Sequence, residues 1–323
     1  MLRSNGVELA TNPASYGALE PGNHLLDDPD ALRARMQEQG YLLFRGLIDP
    51  RHIAAARAEI LLKYATIGEL NPTEPLDEAI YGDSSALAHI NLRAFTQSVR
   101  DGQAYQNVVL DETLLKTVST LLGGPARAFD FRWPRFARPG EGCGVHCDGP
   151  YLTRGTEHLF SSWIPLGRVT QIEGALMILE RGPRHQELLA EYLAKDADED
   201  HLEWIGNPRT VQEQFGTRWL STDFEPGDVL CFAMDTVHAA LDNQSPVQRC
   251  RLSSDSRYQL ASDAQDQRWN GPQPQCHGPD KVFFPGLGSW NNKEFQDEWK
   301  TVDAAGRLVI APSDGLTPDL KKL

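Results

Sequence analysis

The sequence has few cysteines, and no two are spaced as Cys-x-x-Cys. The five, Cys143, Cys147, Cys231, Cys250 and Cys276, make an odd set. That argues against a disulfide framework or a structural zinc site and fits a reducing cytoplasm. No apolar run approaches about 18 residues, so no membrane-spanning helix is expected. The opening Met1-Leu2-Arg3-Ser4-Asn5 leads into no apolar stretch, so no secretion signal is expected. Internal repeats and low-complexity tracts are missing too, which sets repeat architectures aside. Positive charge is the scarcer sign, with 31 Lys and Arg against 45 Asp and Glu, a net charge of −14. Such a field repels nucleic acid and anionic membrane, and neither is expected as a partner. An anionic small molecule stays open, because a local arginine cluster reverses the sign inside a cleft.

What is present reads as one globular domain with a core large enough to need no staples. Residues up to about 23 are rich in Gly, Pro, Ser and Asn and read as loop or arm. Asp28-Pro29-Asp30 opens a short helix that Gly40 ends, and Tyr41-Leu42-Leu43-Phe44 reads as a buried strand. Asp49-Pro50 starts a second helix over residues 50–64, with Asp49 as cap and Pro50 in the first turn. Residues 87–99 and 112–122 also read as helices, the latter stopped by Gly123-Gly124-Pro125.

From Ala126 the character changes. Short strands are expected at residues 128–136, 158–166, 176–179, 219–224, 228–240 and 250–260, separated by Pro-Gly turns. A charged helical insert begins near His185. Strands after a helical lead-in suggest a mainly β fold with flanking α, a β-sandwich or jelly roll with helices outside. The expected division is a mostly helical part over 1–125, a jelly-roll core over 126–260, and an irregular tail over 261–323 covering the core.

The chemistry centres on Gly144-Val145-His146-Cys147-Asp148-Gly149-Pro150. His146 and Asp148 stand at i and i+2, so on an extended segment they face one side. Alone, a His-x-Asp pair is weak evidence, because most such pairs are solvated surface. His238 strengthens it by closing the apolar run that follows Pro226-Gly227-Asp228. Two histidines and one carboxylate suit one face of a non-haem Fe(II), leaving positions open for a cosubstrate and dioxygen.

Together with other segments, these residues resemble the phytanoyl-CoA dioxygenase family of Fe(II)/2-oxoglutarate-dependent oxygenases. The matching stretches are Tyr41-Leu42-Leu43-Phe44-Arg45-Gly46-Leu47, His146-x-Asp148, Ser162-Trp163-Ile164-Pro165-Leu166 and Glu173-Gly174-Ala175-Leu176. They continue through Pro226-Gly227-Asp228 to His238 and end in Arg251-Leu252-Ser253-Ser254-Asp255-Ser256-Arg257-Tyr258. The resemblance implies a double-stranded β-helix, a cupin-like jelly roll. It implies iron held by His146, Asp148 and His238, with 2-oxoglutarate and O2 as cosubstrates and succinate and CO2 as products. It implies an arginine on the far carboxylate of 2-oxoglutarate, a task suited to the planar guanidinium. Spacing from His238 favours Arg249, whereas the local match favours Arg251. Arg251 is preferred, with Arg249 as its rival. Trp163 falls where the family places a tryptophan beside the cosubstrate; a core aromatic is the plain alternative.

Arg132, Arg135, Arg138 and Arg154 cluster near the metal strand. A solvated face explains them simply, while Arg132 or Arg154 meeting an anionic substrate group is the sharper expectation. Asp255 and Arg257 read as a structural pair or as support behind the ligands, and Cys147 as packing. The Glu180-Arg181-Gly182-Pro183-Arg184-His185 turn departs from the family pattern. Asp148 is intact, whereas related halogenases replace this carboxylate with a small residue so that chloride binds. Oxygenation is therefore expected, with hydroxylation of a small molecule as default: a secondary metabolite, amino acid or acyl derivative. Desaturation, cyclisation and epimerisation are alternatives, as is a jelly-roll binding protein without catalysis. Oligomeric state leaves no mark in the sequence.

Overall fold

The computed structural model describes residues 1–83, 90–200, 202, 205–271 and 274, together with the backbone of four short strands beyond them. The chain opens with a small hairpin, β1 (Arg3–Ser4) and β2 (Val7–Glu8), followed by β3 (Tyr16–Ala18). Helix α1 (Pro29–Gln39) leads into β4 (Tyr41–Phe44). Helices α2 (Pro50–Thr66), α3 (Leu92–Arg100), α4 (Gln103–Val109) and α5 (Glu112–Leu122) complete the N-terminal part.

Local chemistry sets most of these boundaries. The Asp28 side chain accepts from the amides of Asp30 and Ala31, and Gly40 closes α1 in the left-handed region at φ 78°. Asp49 and Asp111 cap α2 and α5 in the same way. Helix α4 was not expected. Its own N-cap, Gly102, offers no side chain, and Glu59 of α2 accepts from the Ala104 amide instead.

The β region runs through β5 (Ala126–Ala128), β6 (Trp133–Ala137) and β7 (Cys143–His146). The short α6 (Gly149–Leu152) precedes β8 (Leu159–Pro165) and β9 (Leu176–Leu179). Then come α7 (His185–Leu193), α8 (Pro208–Phe215), β10 (Trp219–Ser221), β11 (Val229–Ala233), β12 (His238–Ala240) and β13 (Arg251–Leu260). Two expected strands are in fact broken. Residues 128–136 divide between β5 and β6, and residues 228–240 divide between β11 and β12.

The core strands form two sheets. The smaller has the order β3-β10-β9-β12-β7, and the larger β4-β11-β8-β13-β5, with β6 also paired to β13. This is the expected jelly-roll core, mainly β with flanking helices. Alternation sorts the side chains of the large sheet. Leu42, Phe44, Ile164, Val229, Cys231, Leu252 and Tyr258 face outward into a core shared with Ile53, Ile60, Tyr105, Val109 and Leu121 of the helices. Tyr41, Leu43, Trp163, Leu230 and Phe232 face inward and pack between the sheets with Val145, Ile178 and Ala239. Each fully buried Leu, Ile or Phe contributes about 1.5–3 kcal/mol, enough to hold short helices that would not persist alone.

The turn before β11 needs its glycine. Gly227 has φ 100°, and a Cβ there would lie 2.4 Å from the Ile48 carbonyl oxygen. Of the tail expected to be irregular, Trp269 is buried against Phe131 and Trp133. Farther on, β14 (Lys281–Phe284) pairs with β15 (Gly288–Asn291), and β16 (Lys300–Val302) with β17 (Leu308–Ile310). These antiparallel pairs replace irregular chain at those positions. Cys276 and the expected covering of the core mouth lie outside the described residues.

Candidate metal centre

Strands β7 and β12 are neighbours in the small sheet, and His146 and His238 are partners across them. Asp148 follows the end of β7, in helical conformation at the threshold of α6. The turn, rather than strand alternation, swings its carboxylate back. Asp148 Oδ1 lies 3.8 Å from His146 Nε2 and 3.9 Å from His238 Nε2. One donor atom from each of the three residues falls within 4.8 Å of the others. Cys147, between the ligand candidates, points into the inter-sheet core, as expected.

Each imidazole is oriented by its own backbone. His146 Nδ1 is 2.9 Å from the Gly144 carbonyl oxygen, and His238 Nδ1 is 2.9 Å from that of Thr236. In the neutral ring, an Nδ1–H donated to each carbonyl leaves the Nε2 lone pair directed at the common point. The His238 ring also rests on Phe232, with centroids 4.6 Å apart. Burial pushes His146 down, but Cys143 and Asp148 bring it up to about 9. Burial and the charge on His146 push His238 down to about 4.

Asp148 is buried, which alone would raise its carboxyl. Arg257, His238, His146 and Ser161 outweigh that and hold it below the usual carboxylate range. Its Oδ2 accepts from Ser161 Oγ at 2.5 Å and Arg257 Nη2 at 2.9 Å. Two imidazole nitrogens and one ionised oxygen are a donor set that fits Fe(II).

The inner face of β13 carries Arg251, Ser253, Asp255 and Arg257, every second residue. Arg251 is 8% exposed. Its Nη1 donates to Ser253 Oγ at 2.6 Å, and its Nε meets no protein partner among the described residues. Burial lowers its pKa, and nearby Arg135 adds to that. Arg249 precedes the strand and forms ion pairs with exposed Glu78 and with buried Glu173, the latter at 2.8 Å. Arg249 is thus committed to carboxylates of this chain, whereas Arg251 is not. Arg135 Nε donates to Asp255 Oδ2 at 2.5 Å, from β6 to β13. Arg135, Arg251 and Arg257 thus stand against Asp148 and Asp255 inside the sheets, a local excess of positive charge in an acidic chain.

Trp163 lies in the core between the sheets, its ring 4.7 Å from Phe224 in an edge contact. The two arginines expected near an anionic substrate are engaged elsewhere. Arg132 donates to Gln106 of α4, on the helical side of the large sheet. Arg154 is spent on Asp196, at 2.5 and 2.6 Å, and on Glu199. Arg138 pairs with buried Glu69 and with Glu141. His185 is a core histidine against Phe215. Ser161 and Arg135 were not singled out from sequence. Arg135 sits in an arginine-rich stretch that reads as a solvated face, and nothing local marks Ser161 apart from other strand serines.

Comparison with known proteins gives a consistent family. The sequence model for phytanoyl-CoA dioxygenase (PhyH) matches residues 36–250. The matched span includes His146, Asp148, Trp163 and His238 and stops one residue short of Arg251. The 1-deoxypentalenic acid 11-beta-hydroxylase of Streptomyces exfoliatus is 26% identical over 252 residues, 74% of this chain and 83% of the relative. The enzyme of the same name from Streptomyces arenae is 27% identical over the same extent. Among solved structures, the epimerase SnoN in complex with Fe3+, alpha ketoglutarate and nogalamycin RO superposes with TM-score 0.52. It shares 17% identity, covering 82% of this chain and 93% of its own. EctD from S. alaskensis with 2-oxoglutarate and 5-hydroxyectoine gives TM-score 0.50 at 15% identity, covering 86% and 94%. At these identities the two structures share the fold.

Proposed function

The chain belongs to the phytanoyl-CoA dioxygenase family, and from that premise we propose that His146, Asp148 and His238 hold its iron while Arg251 anchors 2-oxoglutarate. The protein is an oxidoreductase, an Fe(II)/2-oxoglutarate-dependent dioxygenase acting on a small molecule. The observation that carries the site is the convergence of three donor atoms within 4.8 Å. When bound, iron and 2-oxoglutarate supply the oxidising chemistry, in which O2 is consumed and 2-oxoglutarate leaves as succinate and CO2.

The chain's own residues supply position and shielding. His146 and His238 present Nε2 because their Nδ1 atoms are engaged by backbone carbonyls. Asp148 presents Oδ1 as an anion held ionised by its neighbours. Arg251, buried with an uncommitted Nε, offers a planar fork to the distal carboxylate of the cosubstrate. Arg249, the rival, is already committed to Glu78 and Glu173, which favours Arg251 for that role. Phe232 and Trp163 keep water from the inner wall. In this reading residues 126–260 carry the chemistry and residues 1–125 buttress the large sheet.

The reaction outcome is hydroxylation at a carbon of the substrate, as the names of the Streptomyces relatives say of those enzymes. Cytoplasmic residence accords with free Cys143, Cys147, Cys231 and Cys250. No helix among the described residues is long and apolar enough to cross a membrane. The test is succinate formation from 2-oxoglutarate by Fe(II)-loaded protein, with and without candidate substrates. Wild type forms succinate, and Asp148→Ala and His146→Ala do not. Equal turnover by either variant removes the assignment. Product mass then separates hydroxylation, a gain of one oxygen atom, from desaturation, cyclisation or epimerisation.

A further inference from the structure

We propose that Arg257 and Ser161 form a carboxylate clamp that fixes Asp148 as a one-oxygen ligand. The inference rests on the site assignment above and concerns positioning residues rather than ligands. Arg257 on β13 and Ser161 on β8 are directly opposed across the large sheet. Both reach the same atom, Oδ2 of Asp148, which comes from the opposite sheet. Oδ1 is left to face the two imidazole nitrogens.

The cost of this arrangement shows what it is for. Arg257 is 5% exposed, and its Nε and Nη1 meet no protein acceptor among the described residues. Burying a guanidinium with idle donors is unfavourable. Its compensation is the Asp148 contact and the face of Trp133, 4.3 Å from the guanidinium carbon to the ring centroid. A stability role alone would be served better by an apolar residue of similar volume. Two donors on one carboxylate oxygen restrain rotation of the group and occupy the lone pairs that would otherwise join the metal. A carboxylate bound through both oxygens would close a position needed by cosubstrate or O2. The clamp therefore preserves vacancy as well as affinity.

The test uses the full-length protein and Co(II) alone, read by equilibrium titration and by visible d–d absorbance. Wild type binds one Co(II), and His146→Ala does not. Arg257→Gln and Ser161→Ala each weaken Co(II) binding by about 10- to 100-fold. They also change the d–d intensity as a second oxygen enters. Because both act on one oxygen, the penalty in the double variant falls short of the product of the two single penalties. Arg257→Lys, which keeps a charge at the site, recovers part of the loss. Wild-type affinity and spectrum in Ser161→Ala and Arg257→Gln overturn the clamp while leaving the metal site standing. Penalties that multiply in the double variant overturn it too. Wild type that binds no Co(II) removes the site assignment and the clamp together. If Arg257→Gln loses its near-UV circular dichroism, Ser161→Ala decides alone.

Discussion

Replacing Arg251 by Ala tests the cosubstrate site, with Arg249→Ala as its internal control. Arg251 is buried between the sheets and donates to Ser253. A dicarboxylate entering there gains charge-assisted hydrogen bonds out of water's reach. Truncating one partner of a buried charged pair costs about 2–5 kcal/mol. At about 1.4 kcal/mol per tenfold, the dissociation constant for 2-oxoglutarate rises by roughly 30- to 4,000-fold. Arg249 is about a third exposed and engaged by Glu78 and Glu173. Its loss leaves buried Glu173 without that partner, a cost to folding rather than to cosubstrate binding. Arg249→Ala therefore leaves the cosubstrate requirement nearly unchanged. The assay is succinate formation against 2-oxoglutarate concentration, alongside direct titration of 2-oxoglutarate into the metal-loaded protein. Co(II) affinity without cosubstrate serves as a check that the metal site is intact. A steep rise in Arg249→Ala with none in Arg251→Ala refutes the argument from burial.

Two further expectations concern stability. Glu69 is fully buried and paired with Arg138 at 2.7 Å, so Arg138→Met strands a carboxylate and lowers unfolding free energy by about 3–5 kcal/mol; urea denaturation measures it, and a change below about 1 kcal/mol contradicts the pairing. Burial depresses His185 below its ordinary 6.5. The unfolded chain therefore binds more protons than the folded one as pH falls below 6.5, and stability is lost in that direction. His185→Gln flattens the fall in melting temperature over that window; an unchanged slope assigns it to other groups.

Much of the fold and part of the site were legible in sequence, for reasons that differ residue by residue. Helices α1, α2 and α5 carry their own caps at Asp28, Asp49 and Asp111, so their starts are written locally. Helix α4 borrows Glu59 from α2, and no local pattern announces it. Helix α8 does carry local signals, Asn207-Pro208 before it and left-handed Gly216 after it, but the charged insert around it masks them. The run over residues 228–240 is apolar at both ends, which hides the turn where the chain changes sheets. His146, Asp148 and His238 stood out because their residue types and positions coincide with a known pattern. Arg257 lies on the two-residue alternation from Arg251, yet its partner comes from 109 positions away. Arg132 and Arg154 show the converse. A sequence displays a positive charge but not the Gln106 or Asp196 that engages it.

The three ligand candidates are secured over very different chain distances. Each histidine leans on a carbonyl only two residues before it, so its orientation is complete once its own short segment folds. Asp148 depends on Ser161, 13 residues later, and on Arg257, 109 residues later. The order of synthesis follows from this. A nascent chain through β12 already has both imidazoles, but the arginine that steadies the carboxylate arrives only with β13. Until β13 docks beside β8, Asp148 lacks that restraint. The last core strand thus completes the support of the Asp148 carboxylate.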